Sequence, residues 1–160
     1  MQTSRALGIG ELAQYVEGYY EEASGQYVLP FALRTAREEV PTLILTDIDL
    51  TGETTRGYLK NYLHGRVYYP NRNIGIVSTF RLRSEHQAVF QVRMIKTVIH
   101  ELAHLFGIAT PDLRLSDDYH CKNRNCVMRF SPTTAGLDET GFEFCRECLA
   151  KIAARYQRGR

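Results

Sequence analysis

The chain has 160 residues, 44% of them apolar and 24% charged, with a formal net charge of +2. That length gives one domain or two tightly joined subdomains with a real hydrophobic core. So small a charge, with no dense basic stretch, gives no reason to expect nucleic acid as a partner, and no segment approaches the roughly 18 consecutive apolar residues of a membrane span.

The N-terminal residues MQTSRALGIGELAQYVEGYY lack the pattern of a secretory leader, so the chain reads as cytoplasmic. Leu12, Tyr15, Val16 and Tyr19 fall at helical spacing and predict an amphipathic helix over 9–23. Tyr27, Leu29, Phe31 and Leu33 alternate over a run too short to separate strand from helix. Residues 41–46, Pro-Thr-Leu-Ile-Leu-Thr, read as a buried strand closed by Asp47 and Asp49. Two further strands are predicted at 67–69, stopped by Pro70, and at 74–80, with turn residues between them.

From Ser84 the period changes. Val92, Ile95, Ile99 and Leu102 predict a long helix over 85–106 with one core-facing stripe, Ser84 as N-cap and Gly107 as C-cap. A polar loop follows to Asn125. A final helix is expected over roughly 143–156, with Leu149, Ile152, Ala153 and Tyr156 on one face. Strands first, then a long helix, a loop and a last helix indicate an α+β fold.

Chemistry concentrates on the long helix. His100-Glu-Leu-Ala-His104 puts two imidazoles one helical turn apart, so both reach one metal ion, zinc being the natural choice. Glu101 projects beside the pair, where it can act as general base on a water activated by the metal. Together they predict zinc-dependent hydrolysis of peptide bonds, with a peptide or protein as substrate. A binding module that keeps the metal without turning over peptides is the alternative, and it has no use for Glu101.

A zinc site of this kind needs a third protein ligand. His64 and His86 precede the helix and read as ordinary surface or turn residues. His120 follows it, and Asp112, Asp117 and Asp118 offer oxygen in the same loop. His120 is preferred because it abuts a second metal motif, Cys121-x4-Cys126 followed by Cys145-x2-Cys148. Two pairs of closely spaced thiols suit a closed, tetrahedral, structural zinc site. Two zinc ions per chain are therefore expected, on a chain taken to be a monomer.

These residues resemble the archaemetzincins, metzincin-clan metallopeptidases with one catalytic and one structural zinc. The family pattern runs from a zinc-binding helix and a glycine turn to a His-Cys pair, a second cysteine, a Met-turn and Cys-x-x-Cys on the last helix. Here the parts are His100 to His104, Gly107, His120-Cys121, Cys126-Val127-Met128 and Cys145-Arg-Glu-Cys148. Gly25-Gln26-Tyr27, Thr46 to Leu50 and Ser78 to Arg83 are similar to segments of the family's N-terminal part, so the resemblance covers the chain from about residue 24.

The resemblance implies a metzincin-like fold: a mixed, twisted sheet with an active-site helix and a C-terminal helix. An N-terminal subdomain would span about 1–107 and a zinc-binding one about 108–160. It implies that Met128 forms an apolar floor under the zinc ligands. It also implies an edge strand that receives the peptide, either Ile74 to Thr79 or Val67 to Tyr69. Two features depart from the pattern. Thr110 stands where the family's third histidine usually falls, so residues 108–119 must bulge before His120, and the stretch before Gly25 is shorter than usual.

Overall fold

The computed structural model describes residues 7–30, 32–34, 38–53, 60, 62–68, 73–108 and 120–158. Two small sheets and a long helix organise them. Helix α1 (Ile9–Tyr15) leads to strands β1 (Tyr19–Glu21) and β2 (Gln26–Leu29), which form an antiparallel hairpin with Tyr20 opposite Tyr27. Strand β4 (Leu50–Gly52) joins β2 in parallel, Tyr27 opposite Leu50. The expected helix over 9–23 thus stops early. Leu12 and Val16 turn into the core, while Tyr15 and Tyr19 stay exposed and Tyr19 enters the hairpin.

The second sheet carries β3 (Thr42–Thr46), β5 (Gly65–Tyr68) and β6 (Ile74–Ser78) in the order β3-β6-β5. β6 pairs with β3 in parallel and with β5 antiparallel. All five residues of β6 are buried, which is why Ile-Gly-Ile-Val-Ser shows no polar alternation. β6 is therefore interior, with both backbone edges engaged, and cannot be the peptide-receiving edge strand expected at Ile74 to Thr79. β5 lies at the sheet's edge. Tyr69 and Pro70, expected to end that strand, lie outside the described residues. A short 3-10 turn, Phe80–Leu82, follows β6. In it Arg81 sends two guanidinium nitrogens to the buried Asp49 carboxylate, tying the two sheets together.

Helix α2 (Gln87–Leu105) packs across β5 and β6. His86 holds the N-cap position, and the Ser84 hydroxyl accepts from the His86 amide instead of capping the helix. The C-terminus matches expectation. Gly107 sits at φ +79°, its amide bonds to the His104 carbonyl, and the Ile108 amide reaches back to Ala103. That double closure is a Schellman turn, and its left-handed residue favours glycine.

The expected stripe on α2 needs correction. Ile95 is exposed, and the buried set includes Lys96, Thr97, Glu101, Ala103, His104 and Leu105. Burial of Lys96 is explained by its partners. Its ammonium donates to the carbonyls of Leu137, Asp138 and Thr140 at the end of helix α3 (Thr134–Glu139). Three charge-assisted bonds to a helix C-terminus offset the cost of desolvating one amine. Arg93 adds an ion pair to Asp138, so α2 grips α3 twice.

The last helix, α4, is Arg146–Arg158. Its inward side is set by Cys148 and Ile152, whereas Leu149 and Tyr156 of the expected stripe are 52% and 69% exposed. The apolar interior falls into two clusters. One joins α1 to both sheets through Leu12, Leu29, Leu50, Ile74 and Ile76. The other joins Ala103 and Ile108 at the end of α2 to Cys126, Val127, Met128 and Cys148. The architecture is mixed α+β, as expected.

Candidate functional site

The end of α2 brings His100 and His104 to one side of the helix, with Nε2 atoms 3.0 Å apart. His120, sixteen residues beyond His104, returns to place its own Nε2 3.2 Å from that of His104. The His120 ring stacks on His100 with centroids 5.2 Å apart. Ligand atoms of all three lie within 4.8 Å of one another.

The other ring nitrogens fix the tautomers. His100 Nδ1 is 2.8 Å from the Val127 carbonyl and His104 Nδ1 is 3.1 Å from the Ile108 carbonyl. A carbonyl only accepts, so each Nδ1 donates and each Nε2 presents a lone pair. Two lone pairs facing each other at 3.0 Å are stable when a cation lies between them. Nitrogens around tetrahedral zinc stand about 3.4 Å apart, so the donor set fits that ion. Burial also pulls the His100 pKa below its usual value, which keeps the ring neutral and able to ligate.

Four free thiols form the second group. Cys121, Cys126, Cys145 and Cys148 have ligand atoms within 4.8 Å of one another, and Cys121 and Cys145 approach to 3.5 Å. The Cys145 amide donates to the Cys126 sulfur at 3.3 Å. A backbone hydrogen bond from Cys148 pulls the Cys145 thiol down to about 7, so a thiolate is at hand near neutrality. Desolvation pushes Cys148 the other way. Four sulfurs on a tetrahedron around zinc stand about 3.8 Å apart, which these positions suit.

Glu101 is 7% exposed, and burial raises its carboxyl to about 8, with Arg66 and Lys60 opposing that rise. A bound divalent cation nearby would lower it again. Its carboxyl lies against Gly65 of β5, where an added Cβ would come within 2.6 Å of Glu101 Oε1. Only a bare backbone lets edge strand and carboxylate approach so closely. The Lys60 ammonium stands 5.5 Å from the centre of the Phe130 ring, and Phe130 in turn lies 5.1 Å from His120. Arg66 is committed to the carbonyls of Leu29, Pro30 and Glu53.

Met128 is fully buried in a turn closed by the Arg129 amide on the Cys126 carbonyl. His86 is exposed, in keeping with its expected surface position. His64 lies half-buried in a bend beside Tyr62, and its ring nitrogens are buried without a hydrogen-bond partner among the described residues. Thr110, Asp112, Asp117 and Asp118 lie outside the described residues. Sequence reasoning missed the carbonyls of Val127 and Ile108, together with Gly65, Lys60 and Arg66 around Glu101. The carbonyls leave no trace in residue type. The glycine before a strand beginning Gly-Arg-Val-Tyr was the one available signal.

The model of Peptidase family M54 matches residues 12–154, nearly the whole chain. The chain belongs to Peptidase family M54. This M54 chain is 31% identical over 151 residues to the archaemetzincin of Methanopyrus kandleri, covering 92% of itself and 77% of that protein. It is similar to the crystal structure of M. kandleri archaemetzincin with a TM-score of 0.64 and 31% identity, covering 86% of this chain and 70% of the other. A zinc-dependent peptidase of Methanocorpusculum labreanum superposes with a TM-score of 0.53 at 28% identity, over 69% of this chain and 52% of that one. Membership makes the M54 chain a zinc metallopeptidase acting on peptide bonds, with the fold of the archaemetzincins. Among the described residues no helix is long and apolar enough to cross a membrane.

Proposed function

We propose that peptide hydrolysis takes place at His100, His104 and His120 with Glu101 as general base, and that the four cysteines hold a second, structural zinc. The observation that carries this is the convergence of three imidazole nitrogens on one point, at the end of the helix that also bears a buried carboxyl. Zinc, when bound there, supplies Lewis acidity toward the attacking water and the scissile carbonyl. Glu101 accepts the water's proton and returns it to the leaving amine nitrogen, the two halves of one general acid–base cycle. His100 and His104 each direct an Nε2 lone pair toward the shared point because their Nδ1 protons are donated to carbonyls. Met128, buried in its turn, serves as the apolar floor of a Met-turn.

The substrate, in this reading, is an extended peptide added along the outer edge of β5, whose Gly65 touches Glu101. The subdomains are taken as about 1–107 and 108–160: the first apolar cluster lies wholly within the former, and the second joins the two through Ala103. Four unpaired thiols suit a reducing cytoplasm, where the chain would act as a monomer on peptides, without nucleic acid or membrane.

The test is Glu101→Gln. Zinc content and the folded circular dichroism spectrum should be unchanged, while kcat/KM on a cleaved peptide falls by roughly two orders of magnitude or more. Full activity in that variant assigns the base elsewhere.

A further inference from the structure

The thiolate site and the imidazole site share one short piece of chain. Residues 120–128 carry His120 and Cys121 at one end and Cys126, Val127 and Met128 at the other. The ends are closed on each other, since the Cys121 amide donates to the Met128 carbonyl at 3.0 Å. On one side this loop is held to the start of α4 and the residues before it. The Val127 amide donates to Glu143, the Cys145 amide reaches the Cys126 sulfur, and Cys121 faces Cys145 at 3.5 Å. On its other side it presents the Val127 carbonyl to His100 Nδ1 at 2.8 Å and delivers His120 itself.

Two of the three imidazoles are therefore placed by the thiol-bearing loop. The third is not, because His104 is held by Ile108 at the end of its own helix. We propose that metal in the four-thiolate site sets the metal affinity of the three-histidine site, with Cys121 and Cys126 acting as positioning residues for His120 and His100. This rests on the ligand assignment given above.

The physical reason lies in what holds the loop when the thiolates are empty. Four sulfurs this close attract one another only through weak S–H hydrogen bonds, and they repel once ionised. A bound divalent ion replaces that with four short bonds. It fixes the Val127 carbonyl and His120 against α2 before the second metal arrives. Partners that orient metal-ligating imidazoles typically account for about 10–100-fold in metal affinity. Coupling between two binding events is reciprocal, so each site must strengthen the other by the same factor.

Cobalt reads the two sites separately, because thiolate-bound cobalt shows sulfur-to-metal charge transfer in the near ultraviolet and imidazole-bound cobalt does not. In the full-length protein, Cys145→Ser removes one thiolate that neither adjoins a catalytic ligand in sequence nor bonds to one. With zinc filling the thiolates of the parent and that site empty in the variant, cobalt should bind the histidines about 10–100-fold more weakly in the variant. Its visible spectrum should change too, as the coordination geometry loosens. Cys145→His, which restores a fourth ligand, should recover both affinity and spectrum. The reciprocal arm uses His104→Ala: the thiolate site should then hold cobalt more weakly than in a parent whose histidines are filled, by the same factor. That arm decides the matter if Cys145→Ser does not fold. Equal histidine-site affinities in parent and Cys145→Ser, or equal thiolate-site affinities in the reciprocal arm, overturn the proposal. Absence of imidazole-bound cobalt in the parent is a different result, and overturns the ligand assignment itself.

Discussion

His64 is half-buried, its two ring nitrogens have no hydrogen-bond partner among the described residues, and burial together with the nearby charges of Arg93 and Arg81 lowers its pKa from 6.5 to about 4. Folding therefore keeps it neutral where the unfolded chain would protonate. The sign follows directly: its contribution is whole above pH 6.5 and is lost as pH falls toward 4. The upper bound on that loss is about 3 kcal/mol. His64→Leu should keep more of its stability between pH 7.5 and pH 5 than the parent does, as read from urea midpoints at the two values. Parallel loss in both proteins would remove His64 from the account. At this scale the grouping of side chains was readable: His100, His104 and His120 come together, and so do the four cysteines. The sequence was silent about the backbone, as with the carbonyls that accept from His100 and His104, since every residue type offers a carbonyl. His64 was read as a surface or turn residue; it lies in a bend, but nothing local encodes its ring contact with Tyr62.

Elements tell a similar story. The apolar run of β6 and the periodicity of α2 were legible because each is long enough to show a pattern. β1 and β4, three residues each, were not, because their pairing is decided by partners far along the chain. The buried face of α2 was misjudged because the stripe was read from apolar residues alone, and the three carbonyls that hold Lys96 at the end of α3 lie more than forty residues away in sequence. The junction of β5 with α2 carries the clearest mutational forecast. Gly65→Ala places a methyl group 2.6 Å from Glu101 Oε1, so the carboxyl must shift. A displacement on the order of 1 Å at a reacting group costs about 100-fold in rate. Loss of kcat/KM with both metals retained is expected; unaltered turnover would mean the Glu101 carboxyl has room that the structure does not show.

For the molecule as a whole, the two ligand sets predict the metal inventory. Each set mixes buried and partly buried ligands, but four thiolates would close the coordination of one ion, whereas three imidazoles would leave a position open. Protein prepared without chelators should contain two zinc ions per chain. Dialysis against a chelator should remove the histidine-bound ion first and abolish hydrolysis, and added zinc should restore it. Elemental analysis at one ion or none before dialysis would contradict the count.

The order of ligands along the chain sets a timetable for synthesis. His100 and His104 leave the ribosome on a helix that packs against β5 and β6, all of which precede His120. The loop that brings His120 home is itself anchored to Glu143 and Cys145, which are made later still. On the proposed ligand assignment, a chain made only as far as α2 holds two of the three imidazoles and none of the anchors for the third. On that assignment, the imidazole set would be complete only once the residues that anchor its loop have been made.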